Sequence, residues 1–228
     1  MKTLNSEGII LGRTNFGEAD RIITMLTPDR GKLTLIAKGV RRQNSKLAGG
    51  LELFCVSDIM FMYGRGEIGT LISARLKKHY ENISKDLERT MTAYEFVKRV
   101  HKSTEDEPEE EYFRLLQTTL ENLNDYRVSI RIIDLWFSSQ LLRLSGYSPN
   151  LQTDENGERL KSNVSYNFNL DKMTFSASEG AAINDTHIKL LRLAFDKRDP
   201  LILQRISGVE NLLPETLSLV RGMLELHI

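Results

Sequence analysis

Apolar and polar positions alternate along the first eighty residues, and this alternation predicts β-strands. In the segment "KLTLIAKGV", Leu33, Leu35 and Ala37 fall on one face, and Lys32 and Lys38 fall on the other. The four other expected strands cover residues 7–13, 21–27, 51–63 and 68–76. Because the connections are short and none holds a crossover helix, a small closed or nearly closed barrel is the expected arrangement.

After about residue 80 the apolar positions recur at helical spacing, and Ser84 is the expected N-cap of a first helix. The apolar stripe of that helix is formed by Leu87, Met91, Tyr94, Val97 and Val100. A second helix is expected to start at Pro108. A third covers residues 127–145 and ends at Gly146, and its apolar circumference predicts a central position. Two further helices are expected at residues 185–196 and 214–226.

The segment "YGRGEIGT" carries glycines at positions 64, 66 and 69, which is the G-x-G-x-x-G spacing of a dinucleotide-binding loop. That loop requires a helix after it, so that a pyrophosphate can lie on the helix N-terminus. Here "TLISARL" follows, and its β-branched, alternating pattern predicts a strand. We therefore expect a hairpin connection in which glycines supply positive φ angles, and no nucleotide cofactor.

The composition, 40% hydrophobic and 27% charged, is typical of a water-soluble globular protein. No apolar run approaches the ~20 residues that a membrane span needs, and residues 1–7 lack the apolar region of a signal peptide. Cys55 is the single cysteine, so no internal disulfide can form. These features predict a cytoplasmic protein without a membrane partner.

Residue patterns of catalysis and metal binding are sparse. The four histidines are scattered without the spacing of metal ligands, and Cys55 lies in a predicted buried strand with no histidine near it in sequence. The acidic run at residues 105–111 is more typical of a solvated turn between helices than of a metal site. We therefore expect neither a metal site nor a catalytic nucleophile.

Charge is unevenly distributed although the net charge is zero. Residues 1–80 carry 13 Lys and Arg against 7 Asp and Glu, and residues 81–228 carry 18 against 24. This asymmetry is compatible with a polyanion that binds the basic half. On charge alone, a chance division of an ordinary surface explains it equally well.

The basic residues of the first half fall on the elements that bind nucleic acid in an OB-fold, a small five-stranded barrel. They are Lys32, Lys38, Arg41, Arg42 and Lys46 on strand 3 and its following loop, with Arg13 near the first connection and Arg65 in the fourth. Such residues contact phosphates with sequence-independent, salt-dependent affinity. Phe16 and Tyr63 lie beside the same connections, where an aromatic side chain stacks on bases or packs in the core.

The segment "EGIILGRTNFGEADRIITMLTPDRGKLTLIAKGVRRQNSKLAGGLELF" resembles the start of RecO, a family of bacterial recombination mediators. The matching positions include Gly17-Glu18, Asp20-Arg21, Gly31-Lys32, Ala37-Lys38-Gly39, Arg41-Arg42, Ser45, Leu47, Gly49 and Tyr63-Gly64-Arg65-Gly66. The order of strands followed by helices extends the resemblance over the whole chain. It implies an α+β protein with an OB-fold domain in residues 1–80 and an α-helical domain in residues 81–228.

The resemblance also implies a function without covalent catalysis, and hence no enzyme. RecO proteins bind single- and double-stranded DNA and anneal complementary strands at the nucleoid. With RecR they load RecA onto DNA coated by the single-strand-binding protein SSB. Their helical domain binds the acidic, hydrophobic C-terminal tail of SSB, for which Arg127 and Arg131 are candidates here, although an ordinary exposed helix start explains both residues equally well. The alternative is a protein-interaction adaptor whose OB barrel mainly binds a partner such as RecR.

Two features depart from the family pattern. Many members bind zinc through two C-x-x-C pairs in an insertion after the central helix, which corresponds here to residues 149–182. Residues 153–157 and 176–179 stand where the pairs would be, and neither segment contains cysteine. We therefore expect a small degenerate zinc-ribbon-like insertion without zinc, held by packing alone or partly disordered. The other departure, Leu53 in place of a proline, is expected to leave the DNA face unchanged.

Overall fold

A computed structural model describes residues 3–64, 66–105, 110–196 and 199–228. The chain forms two compact units, Met1–Asn124 and Asp125–Ile228. The first unit holds the five long strands and two helices, and the second holds the remaining helices and a short hairpin. Two helices therefore pack with the strands in one compact unit, and the division into domains at residues 80 and 81 stays a prediction.

Five strands form a closed barrel in the order β1-β2-β3-β5-β4. They are β1 (Thr3–Phe16), β2 (Asp20–Thr27), β3 (Gly31–Ala37), β4 (Cys55–Met62) and β5 (Gly69–His79). Neighbouring strands are antiparallel except β3 and β5, whose short parallel pairing joins Leu35 to Gly69 and Ile36 to Thr70. Closure removes the exposed strand edges, and the OB-like barrel predicted from the alternating pattern is confirmed.

Alternate residues of the strands fill the interior of the barrel. On β3, Leu33, Leu35 and Ala37 are buried, as the alternation predicted. The same core contains Ile10, Ile23, Met25, Ile59, Phe61 and Leu71 from the other strands. β3 ends at Ala37, three residues before the expected end, because Gly39 has a φ of 64° and turns the chain.

The glycine-rich segment is the connection between β4 and β5, and β5 follows it directly. The strand that excludes a dinucleotide loop is therefore present. The positive φ angles expected of these glycines were wrong for Gly66 and Gly69, neither of which has one, and Gly69 is required for space instead. A Cβ atom there would lie 2.7 Å from Leu35 Cδ2 and 3.3 Å from the Met62 carbonyl oxygen. Gly69 thus allows β5 to approach both of its neighbours.

The first unit also contains helices α1 (Leu87–Ser103) and α2 (Glu110–Asn124). The prediction that Ser84 is the N-cap of α1 was wrong. Asp86 is the N-cap, and its side chain accepts a hydrogen bond from Arg89 N. The start expected for the second helix, Pro108, lies outside the described residues.

The apolar stripe expected on α1 was only partly right. Val97 and Val100 are buried, but Leu87 and Met91 are 80% and 58% exposed. The buried face instead runs through Ala93, Phe96, Val97 and Val100. Two overlapping stripes at helical spacing are present in the sequence, and tertiary packing selects between them.

The second unit is built around α3 (Ile130–Leu144), which is buried over most of its surface, as expected of a central helix. The other elements are β6 (Tyr166–Asn169), β7 (Thr174–Ala177), α4 (Asp185–Phe195), α5 (Pro200–Gln204) and α6 (Val209–His227). Gly146 has a φ of 84°, and Tyr147 N donates to Leu142 O at 2.8 Å, so the predicted C-terminal glycine is confirmed. None of the helices in the described ranges combines the length and apolarity needed to cross a membrane.

The insertion at residues 149–182 contains the β6–β7 hairpin. The Asp154 carboxylate accepts hydrogen bonds from Asn156 N and Glu158 N, each at 2.9 Å. Glu155 N donates to Phe175 O at 2.8 Å, and the buried Phe175 ring packs edge-on against Tyr166. The turn at the first expected zinc-binding pair is thus held by a carboxylate and by the hairpin, and these residues present no set of thiolate or imidazole ligands.

Candidate nucleic-acid interface

Hydrogen bonds join the β1–β2 turn to the loop that follows β3. Gly39 N donates to Asp20 Oδ1 at 2.7 Å, and Arg41 N donates to Ala19 O at 2.9 Å. The guanidinium of Arg41 donates to Gly17 O at 3.3 Å. These contacts place the two arginine-bearing segments, which are about twenty residues apart in sequence, at one end of the barrel.

The loop after β3 is attached to the core at two points. Val40 is buried in the barrel core, and Leu47 packs against the same core while partly exposed. Between and beside these anchors, Lys38, Arg41 and Arg42 are exposed to solvent, as is Lys46. The buried Val40 and the partly buried Leu47 hold a cationic loop against the barrel and leave its charges accessible.

Strand register brings two more arginines to the same hairpin. Arg13 pairs with Ile23 across β1 and β2, and Asn15 pairs with Arg21, so both arginines project from one face of the hairpin. Arg21 Nε donates to Asn15 Oδ1 at 3.1 Å. Sequence analysis did not identify Arg21 as a candidate, because its proximity to Arg13 depends on the pairing register of β1 and β2.

We call these cations the basic rim, and its six members are Arg13, Arg21, Lys38, Arg41, Arg42 and Lys46. Within the described residues none of the six forms an ion pair, whereas elsewhere in the unit Lys77 pairs with Glu7 and Lys78 pairs with Glu121. Two acids, Glu18 and Asp20, lie in the same turn. The rim is therefore a net positive surface that is available to a polyanion.

Lys32 lies apart from the rim. Its Nζ donates to the carbonyl oxygen of His101 at 3.3 Å, near the C-terminus of α1, and the side chain is half-buried. A lysine cation at that position interacts favourably with the negative end of the helix dipole. The geometry supports a structural role for Lys32, and its contact with DNA stays a prediction.

The aromatic candidates differ in exposure. Phe16 is 50% exposed at the end of β1, and its ring is accessible to bases. Tyr63 is partly buried and packs edge-on against Phe61, with 5.8 Å between ring centroids, so it contributes to the core. Arg65, the remaining candidate, lies outside the described residues.

Beside the rim, a row of side chains crosses four strands. Cross-strand pairing aligns Thr14, Ile22, Ile36 and Thr70 on β1, β2, β3 and β5. The row lies on the outer face, because Ile23, Leu35 and Leu71, which alternate with it on β2, β3 and β5, fill the core. Ile22 and Ile36 are only half-buried, and Lys38 follows Ile36 by two residues on the same side. The row presents apolar surface next to a cation. It could not be identified from the sequence, because it depends on the pairing register of the strands.

The two candidates for a tail-binding site in the second unit do not lie together. Arg131 lines an open groove of about 610 Å³ with Arg221, Leu170 and Pro214, whereas Arg127 is not among the described residues that line it. Arg127 instead pairs with Asp125, which raises the pKa of its guanidinium. Within the groove, Arg221 was missed from the sequence, because it comes from α6, some ninety residues after Arg131.

The surroundings of the single cysteine do not activate its thiol as a nucleophile. Cys55 is buried, and its Sγ lies 2.8 Å from Glu52 O. Burial raises the pKa of the thiol, so the thiol stays protonated at neutral pH. Among the residues that the structure describes, no three or more His, Cys, Asp or Glu side chains are grouped to hold a metal ion.

Comparison with known proteins matches both halves of the chain. A family model described as "Recombination protein O N terminal" covers residues 1–80, and one described as "Recombination protein O C terminal" covers residues 85–228. A "DNA repair protein RecO" of Dehalococcoides mccartyi is 36% identical over 148 residues, 64% of this chain and 58% of that protein. Relatives with the same name from Desulfatibacillum aliphaticivorans and Rubrobacter xylanophilus are 31% and 32% identical over 66% of this chain. The match spans 60% of the length of each of these two.

Proposed function

This chain belongs to the recombination protein O family, and from that membership we propose that it is a DNA-binding mediator of recombinational repair. The relatives' name, DNA repair protein RecO, supports a role in repair. The observation that carries the proposal is the basic rim, whose six cations have no ion-pair partner within the described residues, at one end of an OB-like barrel. The proposed ligand is the phosphate backbone of single- and double-stranded DNA.

The proposed mechanism of annealing is electrostatic. Two complementary strands repel each other, and cations that contact their phosphates release counterions and reduce this repulsion. Contacts to the backbone leave the Watson–Crick edges of the bases accessible, so pairing can proceed while the strands are bound. Phe16 and the half-buried Ile22 and Ile36 add sequence-tolerant contact to bases.

The protein is expected to accelerate annealing of complementary oligonucleotides. The reason is that the rim screens both strands, so the acceleration should fall as salt rises. Annealing is followed by fluorescence energy transfer between labelled 40-mers at 50 mM and 300 mM NaCl. A rate equal to that of the protein-free reaction at both salt concentrations would contradict the annealing function.

We also propose that the chain acts with RecR to load RecA onto SSB-coated DNA. The groove of the second unit is the proposed site for the acidic, hydrophobic tail of SSB. Leu170 and Pro214 give the groove apolar surface. Arg131 and Arg221 line the same groove, as does the acidic Glu225. Both arginines are paired in the free protein, Arg131 with Glu210 and Arg221 with Asp134, so a tail carboxylate would have to compete with these acids.

Replacing both groove arginines by glutamate (Arg131→Glu with Arg221→Glu) is expected to weaken binding of an SSB tail peptide by about tenfold or more. Reversed charge repels the acidic peptide while the apolar surface of the groove stays in place. Binding is measured by fluorescence anisotropy of the labelled peptide. The matched control is Arg127→Glu, an exposed arginine away from the groove, which should leave the affinity unchanged. Equal losses in both proteins would place the tail elsewhere.

The adaptor alternative makes a different prediction in the same experiments. A barrel that mainly binds a partner protein would not shift a DNA oligonucleotide by itself, even at low salt. The basic rim favours direct DNA binding, because in the part of the chain that the structure describes its cations form no ion pair, whereas Glu7 and Glu121 pair with Lys77 and Lys78. Gel retardation by the purified chain alone distinguishes the two functions.

A further inference from the structure

The loop that carries Lys38, Arg41 and Arg42 depends on an acidic residue for its position. Asp20 Oδ1 accepts the hydrogen bond of Gly39 N at 2.7 Å. Gly39 has a φ of 64° and is the residue at which the chain turns out of β3. The carboxylate thus fixes the loop at the point where its direction is set.

The role of Asp20 is not that of a counterion. Across the described residues its carboxylate lies in no ion pair, although Arg21 follows it in sequence and the arginine-bearing loop is bonded to it through Gly39 N. Its carboxylate instead accepts a hydrogen bond from a backbone N–H group. The charge of a carboxylate beside a polyanion site weakens DNA binding. Any benefit of Asp20 to DNA binding must therefore come from its hydrogen bond and not from its charge.

We propose that Asp20 is a positioning residue for DNA binding, which holds the basic loop against the β1–β2 turn through Gly39 N. This inference rests on the proposed DNA-binding function. Two neighbouring contacts depend on that placement: Arg41 N donates to Ala19 O at 2.9 Å, and the Arg41 guanidinium donates to Gly17 O at 3.3 Å. Without the Asp20 bond the loop loses its attachment at Gly39 and is held there only by the buried Val40 and the Arg41 N bond, so Arg41 and Arg42 are less firmly positioned relative to Arg13 and Arg21.

The test compares two substitutions that remove the same charge. Asp20→Asn keeps an oxygen acceptor for Gly39 N, whereas Asp20→Ala removes it. The full chain is titrated with a fluorescent single-stranded oligonucleotide at 0.1 M NaCl. Asp20→Asn should bind as tightly as the wild type or more tightly, and Asp20→Ala should bind about fivefold more weakly than Asp20→Asn, the effect of one lost phosphate contact at this salt. Glu18→Gln, an exposed acid of the same turn, controls for charge removal.

A second measurement reports on the loop without DNA. Amide hydrogen exchange at Gly39 and Arg41 should be faster in Asp20→Ala than in Asp20→Asn, while exchange in the barrel strands is unchanged. Wild-type protein that fails to bind DNA would overturn the proposed function and this role with it. Wild-type protein that binds, with Asp20→Ala and Asp20→Asn equal in affinity and in exchange, would overturn the role of Asp20 alone.

Discussion

Replacing Arg41 and Arg42 together by glutamate is expected to weaken binding of single-stranded DNA by more than about 25-fold at 0.1 M salt. Each phosphate contact on a single strand contributes roughly fivefold at this salt through counterion release, and two contacts are lost. The new carboxylates add repulsion. Both side chains are exposed on the loop anchored by Val40 and Leu47, so the substitutions should not disturb the core.

The control for this variant is a second double substitution with the same change in charge, made in the first unit but outside the basic rim. Lys85 and Arg114 are exposed in the first unit and pair with Glu81 and Glu110 on their own segments. Their joint reversal to glutamate should reduce DNA affinity only through the net charge, by a small factor at 0.1 M salt. Comparable losses in both double variants, measured by fluorescence anisotropy, would mean that the rim has no special role.

Substituting Gly50 by alanine is expected to destabilise the first unit by more than about 3 kcal/mol. A Cβ atom at this position would overlap the backbone carbonyl of Ala74 on β5 and lie 2.8 Å from Ala74 Cβ. Gly50 O also accepts the hydroxyl of the buried Ser57 at 2.7 Å. Because the clash is with backbone, the segment that ends the basic loop must move away from the barrel.

Thermal unfolding measures this effect, and the neighbouring glycine provides the control. Gly49 is exposed and an added Cβ meets nothing within 4 Å, so Gly49→Ala should leave the melting temperature unchanged. Gly50→Ala should lower it by at least about 6 °C for a chain of this size. A melting temperature within about 2 °C of the wild type would show that the loop end does not dock on β5.

The barrel was predictable from the sequence because its signal is local. The alternation of Leu33, Leu35 and Ala37 fixes which face of β3 is buried, whatever strand lies beside it. The buried face of α1 could not be predicted from local sequence. Leu87 and Met91 have the helical spacing of an apolar stripe, as do Ala93 and Val97. Only packing within the compact unit decides which stripe is buried.

The candidate site was predictable as a set of charges but not as an arrangement. The density of cations near Arg41 is a property of the sequence, whereas the proximity of Arg21 to Arg13 arises from strand register. Lys32 illustrates the converse. Its position opposite the core face was right, but the carbonyl of His101 that it contacts belongs to a helix some seventy residues away. Long-range contacts of this kind carry no local pattern.

The insertion was predicted to lack zinc, and in the structure a carboxylate and a backbone hydrogen bond hold the turn where the first cysteine pair was expected. The Asp154 carboxylate, in the segment of the first expected pair, accepts two backbone N–H groups. Asparagine and aspartate commonly stabilise turns in this way, so the signal was present at residue 154. The backbone bond from Glu155 to Phe175 joins the turn to the hairpin and could not be read from sequence.

The salt dependence of single-stranded DNA binding tests the central claim most directly, which is that the basic rim contacts DNA phosphates. The logarithm of the association constant is measured against the logarithm of NaCl concentration for the wild type and for the Arg41 and Arg42 double variant. With six rim cations on phosphates, the wild-type slope should be about −4, and the double variant should be shallower by about 1.4. A wild-type slope no steeper than about −1, or equal slopes for the two proteins, would contradict the claim.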